Sequence, residues 1–263
     1  MNKEPLITLA DFGLDKKLKE IWTDDGYSPV YQENVRKNVV TFLSLNPSLP
    51  PNERKKATQG NNVHPPFPMI DFKQGSPYPF FKKYYEIGKK FSEPWTAIDL
   101  LYIRDSSQKK IEEIYKTDRR NFITTQVQLT LEIIKEIQPK VVVVANRFVE
   151  TLLLEYQPFK GIAHLDEKEI YRYEGIPFIM RESGFMGSRR IWESKSQKSL
   201  SLKKKMFAEI RKVLIKLTEQ EIEMLPMDKM GVYKSRKYEE VIYWRDRKKY
   251  LVQHLKELTD INC

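Results

Sequence analysis

The chain has 263 residues, of which 40% are hydrophobic and 31% charged. That is enough for one large domain, or a domain with an appendage. One cysteine, Cys263, excludes an internal disulfide framework, a cysteine-based zinc site and a four-cysteine iron–sulfur cluster. Lys and Arg number 46 against 36 Asp and Glu, a net charge of +10. Residues 181–263 carry 20 of those cations against 12 anions, so most of the excess lies in the last third. Such a gradient attracts polyanions irrespective of their sequence, although a solvated helical surface reads the same way.

Four apolar runs predict buried strands, taken in chain order. The first is Val39 to Leu43, and the second lies near Ala97 to Tyr102. The third is Val141 to Ala145, whose four valines do not alternate with polar residues, so both faces must be covered. The fourth is Ile176 to Met180, where Pro177 predicts a late start or an edge position. Between the first two runs lies a connection from Pro47 to Pro94 with nine prolines and many aromatic rings, among them Phe67, Phe72, Phe80, Phe81, Tyr84 and Tyr85. That aromatic content argues against a disordered linker.

Helical spacing predicts a helix through Phe122, Val127, Leu131, Ile134 and Ile137, closed by Pro139. A short helix through Phe148, Leu152 and Leu153 follows the valine run. Phe207, Ile210, Val213, Leu214 and Leu217 form an apolar stripe opposite Lys203, Lys204, Lys205, Arg211, Lys212 and Lys216. The simplest reading packs that helix on the sheet with its lysines in water. Strands alternating with helices predict an α/β fold, a three-layer sandwich with a central four-stranded parallel sheet. The expected division is a domain over 1–218, with a helical extension at 1–37, and a basic helical appendage over 219–263. No apolar run reaches the roughly 20 residues of a membrane span. The N-terminal MNKEPLITLADFG also lacks a signal-peptide core, so a cytoplasmic protein without a membrane partner is expected.

Ligands of such sheets bind at the carboxyl ends of the strands. There is no Gly-rich phosphate loop with Lys, no GxGxxG, HExxH or GxSxG, and His64, His164 and His254 show no metal-ligand spacing. No cofactor or metal is therefore expected. The first strand instead runs into Ser44-Leu45-Asn46-Pro47-Ser48. An aromatic segment follows, Phe67-Pro68-Met69-Ile70-Asp71-Phe72 and then Pro77-Tyr78-Pro79-Phe80-Phe81. Next come Ile98-Asp99-Leu100-Leu101-Tyr102-Ile103-Arg104, the Gln138-Pro139-Lys140 lead-in to the valines, and the loop Arg181-Glu182-Ser183-Gly184-Phe185-Met186-Gly187-Ser188-Arg189-Arg190.

Over roughly residues 38–217 these five segments, in this order, resemble the uracil-DNA glycosylase superfamily. The branch they most resemble is that of the mismatch-specific uracil-DNA and thymine-DNA glycosylases, whose first loop reads GINPG. Ser44 and Ser48 replace its two glycines. In the second loop Arg181 stands for a His or Asn, and Glu182 for a Pro.

The resemblance implies a DNA glycosylase that flips a base out of the stack. Asn46 falls on the catalytic Asn, with Arg181 as a second catalytic group steadying the departing base. Phe72 would stack on that base, with Tyr78 or Phe80 as rivals for the role. Asp99, Ser48 and Ser183 complete the substrate pocket. Phe185, Met186, Arg189 and Arg190 would wedge into DNA and touch its phosphates, and a monomer is favoured.

The chemistry agrees with these assignments. A base leaving as an anion needs hydrogen-bond donors, and an amide can place a water although it cannot take its proton. Two other readings stand beside this one. The first is a non-catalytic nucleic-acid-binding protein on the same fold, favoured by the altered second loop. The second is an enzyme of free nucleosides or nucleotides.

Overall fold

A computed structural model describes residues 6–13, 16–17, 31–47, 82–91, 94–103, 108–117, 120–144, 146–155, 164–165, 171–180, 196–226 and 238–261. Eight strands run in chain order: β1 (Leu6–Thr8), β2 (Asn34–Arg36), β3 (Val40–Ser44), β4 (Trp95–Asp99), β5 (Val141–Val144), β6 (His164–Leu165), β7 (Tyr171–Tyr173) and β8 (Ile176–Ile179). The helices are α1 (Lys82–Phe91), α2 (Gln108–Lys116), α3 (Arg120–Ile137), α4 (Arg147–Glu155), α5 (Gln197–Glu223) and α6 (Tyr238–Asp260).

Six strands form one sheet in the order β4-β3-β5-β8-β7-β6. The pairs β4–β3, β3–β5 and β5–β8 are parallel. These are the four apolar runs of the sequence, and their non-alternating pattern follows from burial on both faces. β5 is buried at every position. The second run forms its strand two residues earlier than its apolar residues imply, at Trp95–Asp99. Leu100 to Ile103 remain buried but leave the sheet as a loop.

The sheet is also wider than the expected four strands. β7 and β8 make an antiparallel hairpin across Glu174-Gly175, both with positive φ (47° and 83°). Two left-handed residues suit the tight primed turns that join twisted strands. β8 is not an edge strand, which corrects the expectation drawn from Pro177. Its pairing with β5 begins only at Phe178, so the missing proline N–H is not needed there.

Alternation assigns the two faces. Phe42 meets Tyr84 of α1 (ring centroids 4.4 Å apart) and Trp95 (4.1 Å). Leu43, Ile98, Val142 and Val144 belong to a different cluster, with Ile123, Val127, Leu131 and Ile134 of α3 and Val149, Leu152 and Leu153 of α4. Helices therefore cover both faces of an α/β sheet. α3 stops where Gln138 takes φ 46° and donates its N–H to Ile134 O, just before Pro139.

The N-terminal residues do not form the helical extension expected at 1–37. β1 and β2 pair antiparallel, linked by one 3-10 turn (Leu9–Phe12), and Val35 and Leu9 enter the core. Apolar side chains in so short a segment reach the core more simply from strands than from an amphipathic helix.

The chain divides into two compact units, 1–88 with 93–189, and 89–92 with 190–263. α5 runs unbroken through the expected boundary at 219 and belongs wholly to the second unit. Its described partner there is α6 rather than the sheet. Arg247 pairs with Glu221, and Arg211 donates to Leu258 O (2.7 Å) and Thr259 O, carbonyls at the end of α6. Those bonds, with buried Leu214, Thr218, Leu251 and Leu258, hold the two helices antiparallel.

Candidate active site

In chain order β3 is the first strand of the large sheet, β4 the second and β5 the third. β4 lies on one side of β3 and β5 on the other. The chain reverses its direction of travel between β3 and β5, and such a switch point opens a crevice at the carboxyl ends of the strands. The loop after β3 begins Leu45-Asn46-Pro47, and β4 ends at Asp99. Two sequence-selected residues therefore arrive at one end of adjacent strands.

The register makes this specific. Ser44 is the Cα partner of Asp99. Leu100 N–H donates to Ser44 O (2.9 Å) and Leu101 N–H to Leu45 O (2.8 Å), so the ladder continues past the strand ends. Asn46 Nδ2 then donates to Ile103 O (2.9 Å) and to Pro47 O (3.1 Å). Both amide hydrogens are committed to carbonyls of the two loops. The amide is thus held in one orientation, and it acts on a substrate or water through its oxygen.

Below Asn46 lies a buried polar layer. Ser44 Oγ and Tyr84 Oη are hydrogen-bonded at 2.8 Å, within an otherwise apolar setting of Phe42 and Trp95. Across the sheet, Tyr102 N–H donates to Gln126 Oε1 (2.8 Å). Thr130 Oγ1 donates to Leu100 O (2.9 Å) and bonds the Tyr102 hydroxyl (3.0 Å). Gln126 and Thr130 are one turn apart on α3 and fully buried. They hold the 100–103 loop, and hence the carbonyl that anchors Asn46.

Asp99 stands apart from this network. It has no hydrogen-bond or ion-pair partner among the described residues, which excludes the turn-acceptor role a buried Asp often has. Its residue is half-buried, yet the carboxyl lies deep enough for burial to push its pKa from 3.8 up to about 7. The Tyr84 and Tyr102 hydroxyls are raised above their ordinary range, chiefly by burial. Their bonds to Ser44 and Thr130 oppose that shift, and the nearby Asp99 adds to it. With Leu9, Tyr31, Gln32, Ile98, Tyr102 and Ile133, Asp99 lines a cavity of about 10 Å³, the room one water needs. Gln32 Nε2 donates to Ala97 O at its edge, and the Tyr31 ring meets Tyr102 edge-on at 6.3 Å.

Of the residues selected from the sequence, the structure brings Asn46 and Asp99 together. Ser48, Phe72, Arg181, Ser183, Phe185, Met186, Arg189 and Arg190 lie outside the described residues, as do His64, Tyr78, Phe80 and Arg104. Sequence reasoning passed over Ser44, Tyr84, Tyr102, Gln126 and Thr130 as members of the site. Two polar residues one turn apart on the apolar face of α3 were the signal that could have found two of them. Asn146, after β5, also stands at the switch point but caps α4. Its Oδ1 accepts from Phe148 N (2.7 Å) and Val149 N (3.3 Å).

Among the described residues no three of His, Cys, Asp and Glu gather as metal ligands, and no helix is long and apolar enough to cross a membrane. Comparison with protein-family models, with curated proteins and with solved structures finds no match for this chain.

Proposed function

We propose that the chain is a DNA glycosylase on a uracil-DNA glycosylase-like fold. It hydrolyses the N-glycosidic bond of uracil or another damaged base, acting as a monomer in the cytoplasm. One observation carries the reading: Asn46, in the loop that resembles the GINPG segment, is anchored at the carboxyl-end switch point beside the partnerless carboxyl of Asp99. A pinned amide oxygen orients a water, and Asp99 offers a polar contact for the extruded base. Arg181 and the N–H groups near Ser48 and Ser183 steady the negative charge that develops on the base as it leaves. Phe72 supplies the stacking surface, worth roughly 1–3 kcal/mol per base. Phe185 and Met186 fill the gap in the stack while Arg189 and Arg190 hold phosphates.

The test is cleavage of end-labelled DNA carrying one uracil, opposite G, opposite A or unpaired, followed by hot alkali. Wild-type protein should cut at the uracil. Asn46→Ala should be slower by about 100-fold, the usual cost of a misplaced reacting group. No cleavage of any of the three, with salt-sensitive DNA binding retained, would favour the second reading, a non-catalytic binder on this fold. Arg181-Glu182, in place of His-Pro or Asn-Pro, is the feature that supports that alternative.

A further inference from the structure

We propose that Asp99 is the general base of this site and takes a proton from the water that Asn46 orients. The inference rests on the glycosylase reading and goes beyond it, because an amide alone gives the water no proton acceptor.

Three structural observations support it. The first is position. Ser44 and Asp99 are register partners, and the ladder bonds through Leu100 and Leu101 carry the strand geometry past both. Asn46 is two residues beyond Ser44. With strands about 4.8 Å apart and a rise of about 3.3 Å per residue, the Asn46 and Asp99 Cα atoms are about 8 Å apart. Alternation puts both on the same side of the sheet. Gaps of roughly 6.5–9.5 Å between two catalytic groups admit one water in glycoside hydrolysis with inversion.

The second observation is vacancy of partners. A carboxyl serving structure would be hydrogen-bonded or paired. Asp99 is neither among the described residues, while every neighbour suited to bond it is committed elsewhere: Tyr84 to Ser44, Tyr102 to Thr130 and Gln32 to Ala97 O.

The third is the surroundings. The groups facing Asp99 from the elements around it are the hydroxyls of Tyr84 on α1 and of Tyr102 after β4, with the Tyr31 ring across the cavity. No Lys, Arg, His or second carboxylate lines that cavity. Burial without a countercharge raises the proton affinity of the carboxylate towards neutrality, where a base is most effective.

The step balances without a co-reactant. The C1′–N bond breaks and its electron pair leaves on the base. The water oxygen bonds to C1′ and its proton passes to the Asp99 carboxylate. Asp99 then returns that proton to solvent or to the expelled base anion.

The experiment is single-turnover cleavage of uracil-containing DNA across pH 5–9 by wild type, Asp99→Asn and Asp99→Ala, the last with and without added formate. Asn keeps the shape and removes a buried charge, so that variant should fold. Thermal melts check both variants. Wild type should lose rate about tenfold per pH unit below about 7. Asp99→Asn should be slower by about 10²–10⁴-fold with that acid limb flattened, and formate should restore part of the Asp99→Ala rate. An Asp99→Asn protein that keeps the wild-type rate and acid limb overturns the proposal and leaves the glycosylase reading standing. A defect confined to KM, with the limb intact, also overturns it and assigns Asp99 to binding the base. A wild type that cleaves nothing removes the glycosylase reading, and this proposal with it.

Discussion

Asp99 makes a second prediction, about stability, that does not depend on any activity. Its carboxyl ionises near 3.8 in an unfolded chain and near 7 in the folded one. Between those values the folded state binds more protons than the unfolded state, so stability falls as pH rises from about 4 to about 7 and is level above. Removing the charge should therefore stabilise the protein at pH 8 and have little effect at pH 4. A shift of about three units corresponds to roughly 4 kcal/mol, and residual solvation of a half-buried group lowers that to on the order of 2–3 kcal/mol. Urea unfolding of wild type and Asp99→Asn at the two pH values reads this directly. Equal stabilities at pH 8 would mean that the carboxylate is well solvated. Asn46 is the contrasting residue, because its two bonds to loop carbonyls stabilise the fold as well as orient the amide.

At the scale of elements, the closest approach is that of α1 to β4. A Cβ on Gly88 would sit 1.8 Å from Trp95 Nε1 and 2.2 Å from its Cε2, so the helix reaches the indole only because residue 88 has no side chain. The same packing places Tyr84 one turn earlier on α1, against Phe42 and in reach of Ser44. Gly88→Ala should lower stability by about 3 kcal/mol or more through overpacking, against a helix-propensity gain of at most about 1 kcal/mol. Adding Trp95→Leu should make the double variant less unstable than the two single effects combined, a coupling that thermal denaturation measures. Additive effects would show that α1 simply shifts outward. The apolar spacing of α3 was legible in the sequence, including its stop before Pro139. The use of Gln126 and Thr130 was not. A polar residue on a buried helical face has meaning only once the backbone group it bonds is known, and that group lies in a loop more than twenty residues away.

For the whole molecule, the charge asymmetry now coincides with a structural division. The second unit begins at Arg190, apart from the short piece at 89–92, and covers nearly all of the basic last third. If the chain binds DNA through this excess, affinity should fall steeply with salt. A protein neutralising six to ten phosphates loses roughly 10³–10⁵ in affinity between 50 and 200 mM salt. Fluorescence anisotropy of a labelled duplex over that range tests it. A flat response would place the lysines of α5 in water with no polyanion to meet. The α/β class, the four parallel strands and the choice of Asn46 and Asp99 could be read in advance, because burial on two faces leaves non-alternating runs and strand ends carry the loops. The β7–β8 hairpin, the strand-built N-terminal segment and the extent of the second unit could not. Each depends on which distant segment covers a short apolar run, and pairing between distant segments leaves no local periodicity. The same holds within the site: residue order placed Asn46 and Asp99 after two strands, but register set them side by side, and burial without a partner gave the carboxyl its raised proton affinity.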